Sequence, residues 1–158
     1  MKHVTKILLL VALAASGCAV EPTTNYLAVL KNNSGSTIRL IPYLNNEPII
    51  ENVIILGNNS QTEIANGSDR GKVNHAGFDS KYLSGMDSII AIYNDSLTVV
   101  HYRTNPVMPS AKSILNENSR NIFNYLNYDY TFSDKSNSLR IANYIFTFTE
   151  ADYEFAKD

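Results

Sequence analysis

The chain is poor in cysteine and in clustered basic residues, and each shortage excludes a class of site or partner. Cys18 is the single cysteine, so the chain cannot form an internal disulfide bridge. Lysines and arginines are scattered without a stripe or cluster, and the formal net charge is −2. Nothing in this distribution favours binding to a phosphate backbone, so we expect no nucleic-acid partner.

Motifs for catalysis and metal binding are equally scarce. The sequence has no Gly-x-Ser-x-Gly elbow, no His-x-x-x-His pair and no paired cysteines with metal-ligand spacing. Beyond the first 17 residues only His75 and His101 remain, and we predict structural roles for both. The segment from Gly67 to Val73 departs from a phosphate loop, because three residues separate its glycines and Val73 replaces the hydroxyl residue. We therefore predict no enzyme activity, no cofactor and no bound metal.

A long hydrophobic run is missing as well. The apolar stretch from Ile7 to Ala15 is far shorter than the roughly 20 residues that a helix needs to cross a bilayer. Lys2 and Lys6 precede the stretch and small residues follow it, which is the pattern of a secretory signal. We predict that residues 1–17 are a signal peptide that is removed.

The end of this signal, Ala15-Ser16-Gly17-Cys18, resembles the lipobox of bacterial lipoproteins, although Ala15 stands where that family usually has Leu. The resemblance implies cleavage before Cys18 and acylation of Cys18, so that the lipid makes the membrane a partner. Ala19 follows, instead of the Asp that favours inner-membrane retention in some members, so the resemblance implies the outer membrane. The periplasmic and surface faces both stay open. The alternative is an ordinary secreted protein cut near Gly17.

The remainder of the chain has the composition of β-strands and turns. Residues 18–25 are predicted to be a lipidated tether, and residues 26–158 a single domain. Short runs rich in Ile, Val, Tyr, Phe and Thr alternate with Asn, Gly, Ser and Asp at a spacing of about 8 to 12 residues. This pattern predicts an all-β fold, an immunoglobulin-like or related antiparallel β-sandwich with a short C-terminal helical turn.

Several elements are predicted individually. A hairpin is expected from the strands 87–94 and 97–103, and a long last strand from Leu139 to Thr149. Thr149 and Asp152 have the spacing of a capping box for a terminal helical turn, 150–156. The first three or four strands, 26–31, 36–43, 49–56 and 61–65, are predicted to form a meander. Residues 66–77 are predicted to be irregular, and residues 113–128 a short helix or an ordered loop.

Aromatic residues provide the strongest candidate for a binding site. Five rings lie between residues 123 and 132, interleaved with Asn and Asp, and Tyr beside Asn suits carbohydrate or protein recognition. We select Tyr125, Tyr128 and Tyr130 as candidate ligand-binding residues. The alternative is that most of these rings cover the core of the sandwich.

Two tripeptides, Asp87-Ser88-Ile89 and Asp95-Ser96-Leu97, resemble the acceptor sequence of the Bacteroidetes O-glycosylation system. The resemblance implies Ser88 and Ser96 as candidate O-glycosylation sites, and ordinary Asp-Ser turns are the alternative.

The C-terminal segment from Tyr144 to Tyr153 resembles the endings of small uncharacterised Bacteroidetes-type lipoproteins. Together with the lipobox, it implies a membrane-anchored envelope lipoprotein that acts as a noncatalytic binding or envelope-assembly module, with an envelope protein or glycan as partner. The alternative is an enzyme inhibitor or a hydrolase-like activity built from loops 66–77 and 104–128. A cluster of His75 with an acid and a hydroxyl would favour that alternative.

Overall fold

The computed structural model describes residues 21–70, 83–136 and 138–158. They form two β-sheets in a sandwich-like arrangement with one short C-terminal helix, so the predicted all-β sandwich is confirmed. The strands are β1 Thr23–Asn33, β2 Ile38–Leu44, β3 Glu47–Pro48, β4 Ile54–Leu56, β5 Gln61–Arg70, β6 Ser88–Tyr93, β7 Leu97–Tyr102, β8 Ser113–Ile114, β9 Asp129–Ser136 and β10 Leu139–Thr149, followed by helix α1, Glu150–Lys157. Two 3-10 turns cover Ile50–Asn52 and Tyr125–Asn127.

The four-stranded sheet has the order β5-β1-β10-β9. Its two central strands are the first and the last of the described chain, and they run parallel from the Thr23–Leu139 pair to the Asn33–Thr149 pair. The predicted opening meander is therefore wrong, because β1 and β2 belong to different sheets. Local turn signals could not reveal this, since the partners of β1 lie far away in sequence.

The six-stranded sheet has the order β3-β2-β6-β7-β8, with β4 also pairing with β2. The predicted hairpin is confirmed as β6 and β7, and Asn94 and Asp95 turn the chain with φ of 48° and 57°. Pro42 lies within β2, where its carbonyl oxygen accepts a bond from the Ile49 amide. Proline offers no donor on that side, and the facing edge is interrupted there by the 3-10 turn between β3 and β4.

The core lies between the sheets and depends on the two-residue alternation of β10. Ala142, Tyr144, Phe146 and Phe148 point inward and are at most 3% exposed. Opposite them the six-stranded sheet buries Ile38, Leu40, Ile89, Ala91 and Val99. Burying each large apolar side chain contributes about 1.5–3 kcal/mol, so this central strand is a main source of the fold's stability.

Helix α1 begins as the capping box predicts. The Thr149 backbone amide donates to Asp152 Oδ2 at 2.6 Å, and the reciprocal bond to the Thr149 side chain is also present. No helix among the described residues is long and apolar enough to cross a membrane.

Two boundaries differ from the sequence predictions, and the alternative of an ordered loop at residues 113–128 is confirmed. β1 begins at Thr23, three residues before the predicted start of the domain at residue 26. β5 continues to Arg70, into the segment predicted to be irregular, because its polar residues pair with β1. Residues 113–128 form an ordered loop that contains β8 and a 3-10 turn.

Candidate functional site

Among the described residues, the inner face of the β9–β10 pair combines exposed aromatic rings with a charged pair. Tyr130 lies opposite Tyr144, Phe132 opposite Ala142 and Asp134 opposite Arg140. Because β9 is the edge strand of its sheet, its inward-facing side chains lie at the margin of the sandwich.

Tyr125, Tyr130 and Phe132 form an exposed group of rings that we name the aromatic patch. Their exposed fractions are 38%, 44% and 43%. The Tyr130 and Phe132 rings are stacked with 6.3 Å between centroids, and Tyr130 also contacts the buried Tyr144 at 5.0 Å. Burial raises the pKa of Tyr144, and the nearby Tyr130 and Tyr125 raise it further. The exposed rings of the patch therefore pack against the buried core.

A charged pair adjoins one end of the aromatic patch. The Arg140 guanidinium lies 5.9 Å from the centre of the Phe132 ring, and Arg140 Nε donates to Asp134 Oδ1 at 3.0 Å. A guanidinium within about 6 Å of a ring is attracted to its face. A ligand on the patch would therefore meet stacked rings beside a carboxylate and a guanidinium, a mixture suited to hydrogen bonding and stacking together.

Tyr128, one of the three tyrosines selected from the sequence, lies in the core instead. It is 5% exposed, its hydroxyl donates to the Ile122 carbonyl oxygen at 2.9 Å, and its ring contacts Phe146. Strand parity does not separate Tyr128 from Tyr130, because residues two apart share a face. Tyr128 is buried because its ring packs against Phe146 and its hydroxyl bonds Ile122, on the segment just before the edge strand. The accessible candidate residues are therefore Tyr125 and Tyr130.

Phe132 belongs to the patch, although the sequence analysis assigned it no binding role. The alternation of Tyr130 and Phe132 with Thr131 and Ser133 is the period of a half-exposed strand, and that signal could have identified it. The sequence could not indicate that β9 is an edge strand.

His101 is buried in the core. It is 1% exposed, its Nδ1 accepts a bond from the Ile122 amide at 3.3 Å, and its ring meets the edge of Phe148. Burial lowers the pKa of His101 to about 4. Within the described residues no group of three or more His, Cys, Asp or Glu side chains could hold a metal ion.

A second polar cluster lies beneath helix α1. Asp152 is 5% exposed and accepts bonds from Arg120 Nε at 2.8 Å and from the Thr149 hydroxyl at 3.1 Å. A cavity of about 130 Å³ adjoins this pair between α1 and the segment from Ile114 to Arg120. Because Asp152 already binds Arg120 and Thr149, the cluster has a structural role and holds the helix in place.

The remaining sequence candidates are distributed over the fold or lie outside the described residues. Ser96 is exposed in the β6–β7 turn, whereas Ser88 is half-buried at the start of β6 and pairs with Tyr43 and Tyr102. Cys18 and His75 lie outside the described residues.

Comparisons with protein-family models, with curated proteins and with solved structures found no match.

Proposed function

We propose that the chain is an envelope lipoprotein of the outer membrane, anchored through an acylated Cys18. Its β domain acts as a noncatalytic binding module, and the aromatic patch contacts an envelope glycan or protein. The accessible rings of the patch are the observation that carries the binding role.

The start of β1 supports an anchor close to the domain. Thr23 is the first strand residue, so only five residue steps separate it from Cys18. A fully extended chain covers about 16–18 Å in five steps. The end of the four-stranded sheet that holds Thr23, Leu139 and Arg70 would therefore lie within that distance of the membrane.

The composition of the aromatic patch supports recognition of a sugar or a protein surface. Exposed tyrosines combine an apolar ring with a polar hydroxyl and lose little conformational entropy on binding. The adjacent Asp134 and Arg140, joined by an ion pair, add charged hydrogen-bonding groups.

The anchor is tested by comparing the native chain with Cys18→Ser in membrane fractions of the same cells. We expect the native chain to incorporate labelled palmitate and to sediment with membranes, and the variant to lose both properties. Equal membrane retention of the two forms would exclude the lipid anchor.

The binding role is tested with isolated envelope glycans, using co-sedimentation with peptidoglycan and with lipopolysaccharide. We expect Tyr125→Ala combined with Tyr130→Ala to weaken binding by about tenfold or more, as for residues at the centre of an interface. The matched control is Val107→Ala with Met108→Ala, because these side chains are 101% and 86% exposed on another loop. If neither glycan binds the native chain, the glycan role is wrong and the protein partner is sought by cross-linking in intact envelopes.

We also propose that Ser96 carries an O-linked glycan and that Ser88 does not. Ser96 is exposed in a turn, whereas both neighbouring strands flank Ser88. Mass spectrometry of the chain purified from its natural cells tests this, and an unmodified Ser96 peptide would contradict it.

A further inference from the structure

The edges of the two sheets differ in how they are protected against pairing with another chain. In the six-stranded sheet the outer strands β3, β4 and β8 have two, three and two residues. In the four-stranded sheet, β5 has a bulge in mid-strand, where its pairing with β1 shifts between Ala28 and Val29. Short strands and bulges are common means of protecting an edge.

Strand β9 differs from β5 because its bulge lies near its end and almost all of its side chains are exposed. It has eight residues, seven of which are exposed, and among the described residues it pairs only with β10. Its pairing is regular from Asp129 to Asp134, and the one irregularity falls at Lys135, near the end. It contains no proline. A long regular edge of this kind is a template for a further strand.

The sequence of β9 is complementary to itself when two copies run antiparallel. In an antiparallel pair, two residues that face each other must both point their backbone N–H and C=O groups toward the partner strand, or both point them away from it. Only every second register meets this condition. One allowed register places Phe132 opposite its own copy and Thr131 opposite Ser133. It also brings Asp129 close to Lys135, the residue at the bulge, and by symmetry this contact between opposite charges occurs twice.

The neighbouring allowed registers lose the charge match, although the one centred on Thr131 sets Tyr130 opposite Phe132. A shift of two residues in one direction sets Asp134 opposite Tyr128, which precedes the strand and is buried. The opposite shift sets Lys135 against Thr131 and Phe132 against Asp134. Opposite charges and aromatic pairs across strands each contribute roughly 0.2–1 kcal/mol, and like charges there are destabilising.

We propose that β9 pairs with β9 of a second copy of this chain, antiparallel and centred on Phe132, to form one continuous eight-stranded sheet. The two-fold axis is perpendicular to the sheet, so the aromatic patches of both copies lie on the same face as one larger surface. The two Thr23 ends point in opposite directions along the strands. This proposal does not depend on the lipid anchor.

Cysteine cross-linking tests the register directly. In the full chain carrying Cys18→Ser, Phe132→Cys places one thiol directly opposite its copy, within the Cα separation of about 4.4–6.8 Å that a disulfide spans. We expect a covalent dimer under mild oxidation. Tyr130→Cys is the matched control, because the same register separates its two copies by about 13 Å along the strand. No dimer from Phe132→Cys, or equal dimer from both variants, would overturn the proposal.

Charge reversal tests the partner. We expect the native chain to be dimeric in analytical ultracentrifugation, and Asp129→Lys and Lys135→Asp each to weaken self-association by about tenfold or more. An equal mixture of the two variants should dimerise again, because every facing pair then has opposite charges. Glu63→Lys, on the β5 edge, is the control without effect. A monomeric native chain, or a mixture that stays monomeric, would overturn the proposal. If the monomer instead bound an unrelated extended peptide at β9, the edge would have a different occupant.

Discussion

Two neighbouring strands place aromatic residues on the same face of the same sheet, with opposite results. On β10, Tyr144, Phe146 and Phe148 are 3%, 2% and 0% exposed. On β9, Tyr130 and Phe132 are 44% and 43% exposed. The chemistry and spacing of the two sets are alike, and the strands pair directly. What differs is the position in the sheet, because β10 lies between two strands and β9 lies at the edge.

Alternation therefore identifies the inward face of a strand but not whether anything covers that face. Central rings stabilise the fold, whereas marginal rings with the same pattern remain available for contacts. Four variants or conditions test this division.

The largest effect is expected from Phe146→Ala. The ring is 2% exposed and contacts both Tyr128 and Phe148, so its removal leaves a cavity in the core. We expect a loss of about 3–5 kcal/mol in the free energy of unfolding, measured by urea denaturation. A loss below that of the edge variant Phe132→Ala would contradict the division between the strands.

Acid is expected to destabilise the core through His101, whose ring meets Phe148. Burial lowers its folded pKa to about 4, whereas an unfolded histidine titrates near 6.5. The unfolded chain therefore binds more protons as the pH falls through this window, and stability decreases by about 3 kcal/mol once the pH is below 4.

His101→Leu is the control for this prediction, because carboxyl groups titrate in the same range. We expect the variant to lose less stability than the native chain between pH 6.5 and pH 4, in urea unfolding at each pH. Identical pH dependence of the two proteins would show that His101 contributes nothing to it.

A smaller effect is expected at the end of β10, where Thr149 caps helix α1. Thr149→Ala removes the hydroxyl that bonds the helix start and Asp152, and such a loss costs about 1 kcal/mol. Thr149→Ser keeps the hydroxyl and should retain most of the native stability in the same unfolding experiment. An equal loss from both variants would assign the effect to the methyl group instead.

The smallest effect on stability is expected from Phe132→Ala on the edge strand. Its ring is half-exposed and contacts Tyr130 and Arg140, so the loss should stay below about 1 kcal/mol. The measurement is urea unfolding at a protein concentration where the chain is monomeric. A loss comparable to that of Phe146→Ala would show that β9 belongs to the core.

Local signals in the sequence predicted part of this fold well. The limits of β10, the β6–β7 hairpin and the capping box at Thr149 follow from periodicity, turn residues and side-chain spacing, all of which act over a few residues. The extension of β5 over Asn66–Arg70 was missed, because its Asn, Gly, Ser and Asp are typical of turns. Pairing with β1 supplies the hydrogen bonds that hold those residues extended.

The candidate site was predicted only in part for the same reason. The density of rings between residues 123 and 132 indicated the right region, and Tyr125 and Tyr130 are exposed there. Tyr128 has the same composition around it, yet it is buried against Phe146. The packing of Tyr128 against Phe146 and the edge position of β9 decide which rings are accessible, and both depend on contacts distant in sequence.

The parallel pairing of β1 with β10 also governs the order of folding. The chain is synthesised from its N-terminus, so β1 emerges long before the strand that completes its sheet. Until Leu139–Thr149 is available, one whole side of β1 lacks its partner, and closing so large a loop is intrinsically slow. The four-stranded sheet therefore cannot be completed before Leu139–Thr149 has been synthesised.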